Sequence, residues 1–226
     1  EIGVRLVGSE MCIRDRDGAV AMLKQLAFGS IRHDGVETKI SVGDTDPMQS
    51  GILWSWYKGL LVQSHQIICP WWPGEESPKL LTGLPVEVDG FPFVCRIPVL
   101  PDDQDVIEAV DWGSYPFWCL NPKNPKRPHM CKPQASTKVS RATRYDVRCM
   151  LRLIMEPVPV APNPLVGKPV KLLFQPYVLH GWLDEITDYD LVCRMTEDTH
   201  ISPDWGIRKG EEVYIDREAV MSLAPG

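Results

Sequence analysis

The chain has 226 residues, 44% of them apolar and eight of them Trp, with a formal charge of -6. That apolar share can fill a core, which excludes a disordered chain. The negative balance excludes a molecule built as a whole to coat nucleic acid or an anionic membrane. The 21 Pro residues oppose long helices and favour short strands joined by rigid loops.

In chain order the first stretch is "RLVGSEMCIRDR", Arg5 to Arg16, which has no periodicity and no cap. Back-translated, it resembles the tail and mosaic end of a transposon-based sequencing adapter read in frame, over residues 1–16. The resemblance implies that residues 1–21 are a non-native, poorly packed leader and that the protein starts at Met22. It also implies a gene from a mixed community, where viral genes are abundant.

Residues 22–156 read as one β-rich domain expected to hold the binding site. "VETKISVG" alternates as a strand, and "GILWSWYKGLLVQSHQIIC" forms one or two more. Trp71 and Trp72 sit in a Pro-rich loop. In "LPVEVDGFPFVCRIPVL" the Asp89-Gly90 pair predicts a tight hairpin. "DDQDVIEAV" predicts a short helix near 103–110 with an Asp cap.

Residues 121–152 carry nine Lys or Arg against one Asp. The first half reads as a Pro-rich loop. The second half enters a strand with Tyr145, Val147, Cys149, Leu151 and Leu153 on one face, leaving Arg148 and Arg152 on an open one. Residues 157–164 are a Pro-rich linker.

Residues 165–226 read as five short strands closed into a small barrel. "GWLDEITDYDLVCR", with Gly181, Leu183, Asp188, Tyr189 and Leu191, resembles the Sm-like and SH3-like barrels. The Asn that the Sm-like pattern places after the aromatic is Asp190 here, and no Arg-Gly follows in "YIDREAV". With eleven acids against six bases in this unit, its sign is wrong for phosphate. Nucleic acid is therefore not an expected partner. Over residues 84–158, the order of "VDGFPFVCRIPVL", "DWGSYPFWC" and "VSRATRYDVRCMLRLIME" resembles uncharacterised prophage proteins of Gram-positive bacteria.

The sequence carries no GxSxG, HExxH, P-loop or dinucleotide fingerprint. Its seven Cys form no CxxC pair and sit mostly in apolar runs, which reads as free thiols in a reducing cytosol. Cys119, His129 and Cys131 are soft ligands at a spacing foreign to zinc fingers, and a fourth ligand would have to come from Cys69, His65 or Cys95. The acids Asp184, Glu185, Asp188, Asp190, Glu197 and Asp198, with His200, are either turn solvation or a divalent-ion site.

The basic arm leads. Arg141, Arg144, Arg148 and Arg152 offer planar donors to phosphate, and Trp112, Tyr115 and Trp118 offer rings for stacking a base. The competing reading pairs the arm with acids across a domain or subunit interface.

The sequence thus predicts a mainly β, β-rich α+β protein, an N-terminal domain followed by a small five-stranded SH3-like or Sm-like barrel. Its expected role is a phage or prophage binding protein without catalysis or cofactor, sequestering an anionic small molecule or nucleotide such as a host defence signal. It would work in the bacterial cytoplasm or in the virion, as a homo-oligomer or with a protein partner, and not at a membrane. The alternatives are a virion or tail accessory protein acting through protein contacts, and a metal-dependent hydrolase using the barrel acids.

Overall fold

The computed structural model describes residues 11–14, 20–23, 25–27, 29–33, 40–46, 52–64, 67–68, 79–110, 116–123, 128–132, 138–141, 150–174, 178–196, 201 and 205–226. Strands dominate, as the Pro-rich, β-patterned sequence predicts. Two compact units emerge: Glu1–Asp89 with Phe93–Glu156, and Gly90–Pro92 with Pro157–Gly226.

In the first unit, β1 (Met11–Arg14) pairs antiparallel with β2 (Val20–Leu23) as a ladder of its own, Met11 opposite Leu23. The leader expected to be poorly packed carries paired backbone over Met11–Arg14. After β3 (Gln25–Ala27), β4 (Ser30–His33) and β5 (Ile40–Gly43) form a second small ladder. β6 (Leu53–Tyr57) turns into β7 (Leu60–Gln63) through Lys58 and Gly59, at φ 47° and 83°. Next come β8 (Ile67–Ile68), the single-turn helix α1 (Lys79–Thr82), β9 (Leu84–Val88) and β10 (Phe91–Arg96). Asp89 and Gly90 hold φ 53° and 87° between the last two strands. Positive φ at both central residues is what a type I′ hairpin turn requires, and Asp-Gly supplies it at low strain.

The helix expected near 103–110 is α2 (Gln104–Ala109), which buries Val106, Ile107 and Ala109. β11 (Phe117–Leu120), β12 (Pro128–Lys132), β13 (Lys138–Arg141), β14 (Met150–Leu151) and β15 (Ile154–Pro157) complete the unit. One sheet has the order β3-β6-β7-β15-β10-β9, the other β13-β12-β11-β14-β8. Val62 and Ile154 from the first meet Phe117, Cys119, Cys131 and Met150 from the second, with Val106, Ile107 and Val110 around α2. Two layers share one apolar core.

The chain changes layer twice at one corner. β7 belongs to the first sheet and β8 to the second; β14 belongs to the second and β15 to the first. The crossings run side by side, because β15 pairs with β7 and β14 with β8.

The second unit begins with a 3-10 turn at Asn163–Leu165. β16 (Lys168–Leu173), β17 (Val178–Ile186), β18 (Asp190–Met195), β19 (Gly206–Lys209), β20 (Glu212–Asp216) and β21 (Ser222–Pro225) follow. Their order is β19-β20-β18-β17-β16-β21. This corrects the expected five-stranded closed barrel: the sheet has six strands, and its ladder ends at β19 and β21. The extra strand, "GIRK", is too short and polar to show a period of two. The apolar alternation of the others still builds a core: Val170, Leu172, Leu183, Leu191, Cys193, Val213, Ile215 and Leu223. Phe174 and Trp205 close it, ring centroids 4.8 Å apart. Among the described residues no helix is long and apolar enough to cross a membrane.

Candidate functional site

At the corner between the two sheets of the first unit, every residue from Met150 to Met155 is buried. A segment passing from one sheet to the other is covered on both faces. Arg152 falls in this segment and is only 4% exposed. Its Nη1 donates to the Ser64 carbonyl at 2.8 Å and, longer, to the Gln63 carbonyl at 3.4 Å. Gln63 completes the corner. Its backbone N–H donates to the Leu153 carbonyl at 3.0 Å, and its Oε1 accepts from the Leu153 N–H at 3.0 Å. The open face expected for Arg152 is therefore absent. Its charge-assisted donors satisfy backbone acceptors that the crossing strands leave behind.

Trp118 is corrected in the same way. It lies in β11, which is buried along its whole length, and is itself 1% exposed, so its ring offers no stacking surface. Trp112, Tyr115, Arg144 and Arg148 lie outside the described residues, as do Trp71 and Trp72. Arg141 is the last residue of β13, at the end of the five-stranded ladder, with His129 opposite it.

The stretch read as a Pro-rich loop contains a strand pair instead. β12 and β13 run antiparallel with Cys131 opposite Val139, and Lys132 directly opposite Lys138. None of the residues in β8, β11, β12, β13 and β14 is Asp or Glu. In a chain whose formal charge is -6, this sheet carries only positive charge. Like charges directly across an antiparallel ladder repel. The signal for this pair was present: "HMCK" and "KVSR" flank "PQAST", a turn-type interruption. Three Pro residues around it hid the alternation.

The proposed soft-ligand cluster is partly assembled. Phe117 stands opposite Cys131, and Cys119 opposite His129, which puts all four on one face by the period of two. Both thiols are fully buried in the core, and His129 is at its margin. A hydrogen bond with the Cys119 thiol draws the Cys131 pKa below its ordinary value. Cys95 is likewise buried and, like Cys119 and Cys131, is a free thiol. His65 and Cys69 lie outside the described residues. Among the described residues, no three His, Cys, Asp or Glu side chains gather to hold a metal ion.

Among the described residues, the acids of the second unit do not converge either. Asp184 accepts from Arg194 Nε and Nη2 at 2.6 and 2.7 Å, and that guanidinium holds its pKa below the usual carboxylate range. Glu197, Asp198 and His200 lie outside the described residues.

Sequence reasoning missed a second, half-buried arginine. Arg96, at the end of β10, donates from Nη2 to Asp103 Oδ1 at 3.0 Å and from Nε to Glu156 Oε1 at 2.6 Å. Asp103 also accepts from the Val99 N–H at 2.6 Å. The expected cap of α2 thus turns its carboxylate away from the helix to tie β10, the 97–103 loop and β15 together. Arg96 is spent on that structure.

The sequence matches no protein-family model, and no curated protein or solved structure matches it.

Proposed function

We propose that this protein binds an anionic small molecule, a phosphorylated compound or nucleotide, without transforming it. The carrying observation is the register that sets Lys132 opposite Lys138, at the edge of a sheet whose strands hold no acid. A phosphate bridging that edge would turn mutual repulsion into two charge-assisted contacts. Arg152 and Trp118, both buried, are not assigned to this site. On this reading the biological use is sequestration of a host signal, in keeping with the phage or prophage origin expected from the sequence.

The test is native mass spectrometry of the full chain purified gently from a bacterial host. A bound mass that leaves on denaturation, yields phosphate on fragmentation and is lost in K132E/K138E supports the reading. An empty wild-type chain that also fails to bind ATP by calorimetry overturns it.

A further inference from the structure

Two reduced thiols meet in the core of the first unit, and the anion site uses neither. Cys119 in β11 and Cys131 in β12 are both fully buried and belong to one apolar cluster. The register sets Cys119 opposite His129 and Phe117 opposite Cys131. The two cysteines are therefore diagonal neighbours on one face of adjacent strands, and a hydrogen bond joins their sulfurs.

The other described thiols differ in kind. Cys95 lies in β10 and Cys193 in β18 of the second unit. Burial pushes both up to about 12, and thiols held protonated in this way are inert. Cys131 moves the opposite way, held below its ordinary value by the Cys119 thiol. Its thiolate is the nucleophile of the pair, and Cys119 is the second thiol that resolves the oxidation product. His129, opposite Cys119 and 9% exposed, marks where this face reaches the margin of the core. A small oxidant enters there when β12 opens locally.

We propose that Cys119 and Cys131 are a redox pair, which hydrogen peroxide converts to a reversible disulfide that clamps β12 to β11. The Cys131 thiolate attacks one peroxide oxygen; the O–O bond breaks, and the leaving hydroxide takes up a proton as water. The resulting sulfenic acid meets the Cys119 sulfur, the S–O bond breaks as the S–S bond forms, and the hydroxyl leaves with the Cys119 proton as a second water. Two thiols lose two electrons and the peroxide gains them. Diagonal neighbours stand about 7–8 Å apart, their Cβ atoms less, whereas a disulfide holds its Cα atoms at about 5.5–6 Å. Closing the bond therefore draws β12 toward β11, and a bond made under such strain is readily reduced again.

The test treats the full wild-type chain with hydrogen peroxide at neutral pH, blocks remaining thiols with N-ethylmaleimide, and maps the non-reduced digest by mass spectrometry. The expected product has lost two hydrogens, carries one link between Cys119 and Cys131, and returns to the starting mass with dithiothreitol. Amide hydrogen exchange across β11 and β12 should slow in the oxidised form. The C119S variant should leave a sulfenic acid at Cys131 that dimedone traps, and C131S should slow oxidation at Cys119 at least tenfold. The chain unfolded in urea, given the same peroxide, should yield a mixture of pairings. A folded chain that forms no disulfide overturns the proposal, as does a link from either cysteine to another, or the same mixture as the unfolded chain. Sulfinic acid at Cys131 in the wild-type chain, formed ahead of the disulfide, also overturns it, because Cys119 would then not be placed to resolve the first product.

Discussion

Arg152 and Ser64 are joined at the point where two strands leave one sheet for the other, the guanidinium Nη1 donating to the Ser64 carbonyl at 2.8 Å. The Ser64 hydroxyl lies 2.7 Å from that of Ser55, and its N–H donates to the Leu53 carbonyl at 2.8 Å. Polar groups at a sheet-to-sheet corner lose their ladder partners and are too deep for water. An arginine is long and multivalent enough to serve several acceptors at once.

Arg152→Met should therefore destabilise the fold. It keeps much of the buried aliphatic length and removes the donors, leaving the Ser64 and Gln63 carbonyls unsatisfied. The expected loss is about 2–4 kcal/mol, read as a lower urea midpoint at unchanged m-value. Anion binding per folded molecule should not change. A variant that folds as stably as the parent but has lost the anion would return Arg152 to the site.

The β character, the Asp89-Gly90 turn and the helix at 104–109 were legible because each rests on local chemistry: period-two alternation, positive-φ residues, apolar residues at helical spacing. Arg152 was misplaced by the same rule that located the rest. The alternation from Tyr145 to Leu153 is real in the sequence, but it marks an open face only while the strand stays in one sheet. Nothing local encodes the crossing at 152–153; it depends on β7 and β8, about ninety positions earlier, making the matching step. Trp118 illustrates the converse, since β11 is covered on both faces by long-range packing that its neighbours in sequence do not announce.

Arg96 offers a test of how burial scales an ion pair. Its side chain is 14% exposed and that of Asp103 is 7%, whereas Glu156 is 41% exposed. Removing one member of a buried pair strands the other charge, so Asp103→Ala should cost about 3 kcal/mol. Glu156→Gln removes a partner that water can replace and should cost less than about 1 kcal/mol. Urea denaturation of the two single variants gives the comparison, and equal costs would mean that the Asp103 contact is no more desolvated than that of Glu156.

Cys95 and Cys193 predict an alkaline limit to stability. Burial, the largest cause in each case, pushes both thiols from 9.0 up to about 12. The unfolded chain releases these protons near its ordinary thiol pKa while the folded chain holds them, so the unfolded state binds fewer protons in between. Stability from this source is full below about pH 9 and is lost as pH rises toward 12. Cys95→Ala combined with Cys193→Ala should flatten that slope in urea melts taken across the window. At pH 8 neither thiol in the folded chain should react with iodoacetamide, because the thiolate is the nucleophile; both should react once urea unfolds it.

Lys138→Glu separates function from fold at the proposed anion site. In the native register Lys132 faces Lys138, and the substitution makes that rung an opposite-charge pair. Cross-strand pairs of this kind are worth about 0.2–1 kcal/mol, so the apo variant should melt slightly above the parent. The same change should abolish anion binding and with it any rise in melting temperature on adding ATP, a rise that ligand linkage demands of the parent. Higher stability together with lost binding is the signature of a ligand site, where repulsion is retained for the sake of what it holds. Higher stability with ATP-dependent melting intact would make the rung an ordinary surface defect and move the anion elsewhere. A drop in stability would mean that acids from elsewhere in the chain already neutralise these lysines, and the sheet edge would then be an internal contact.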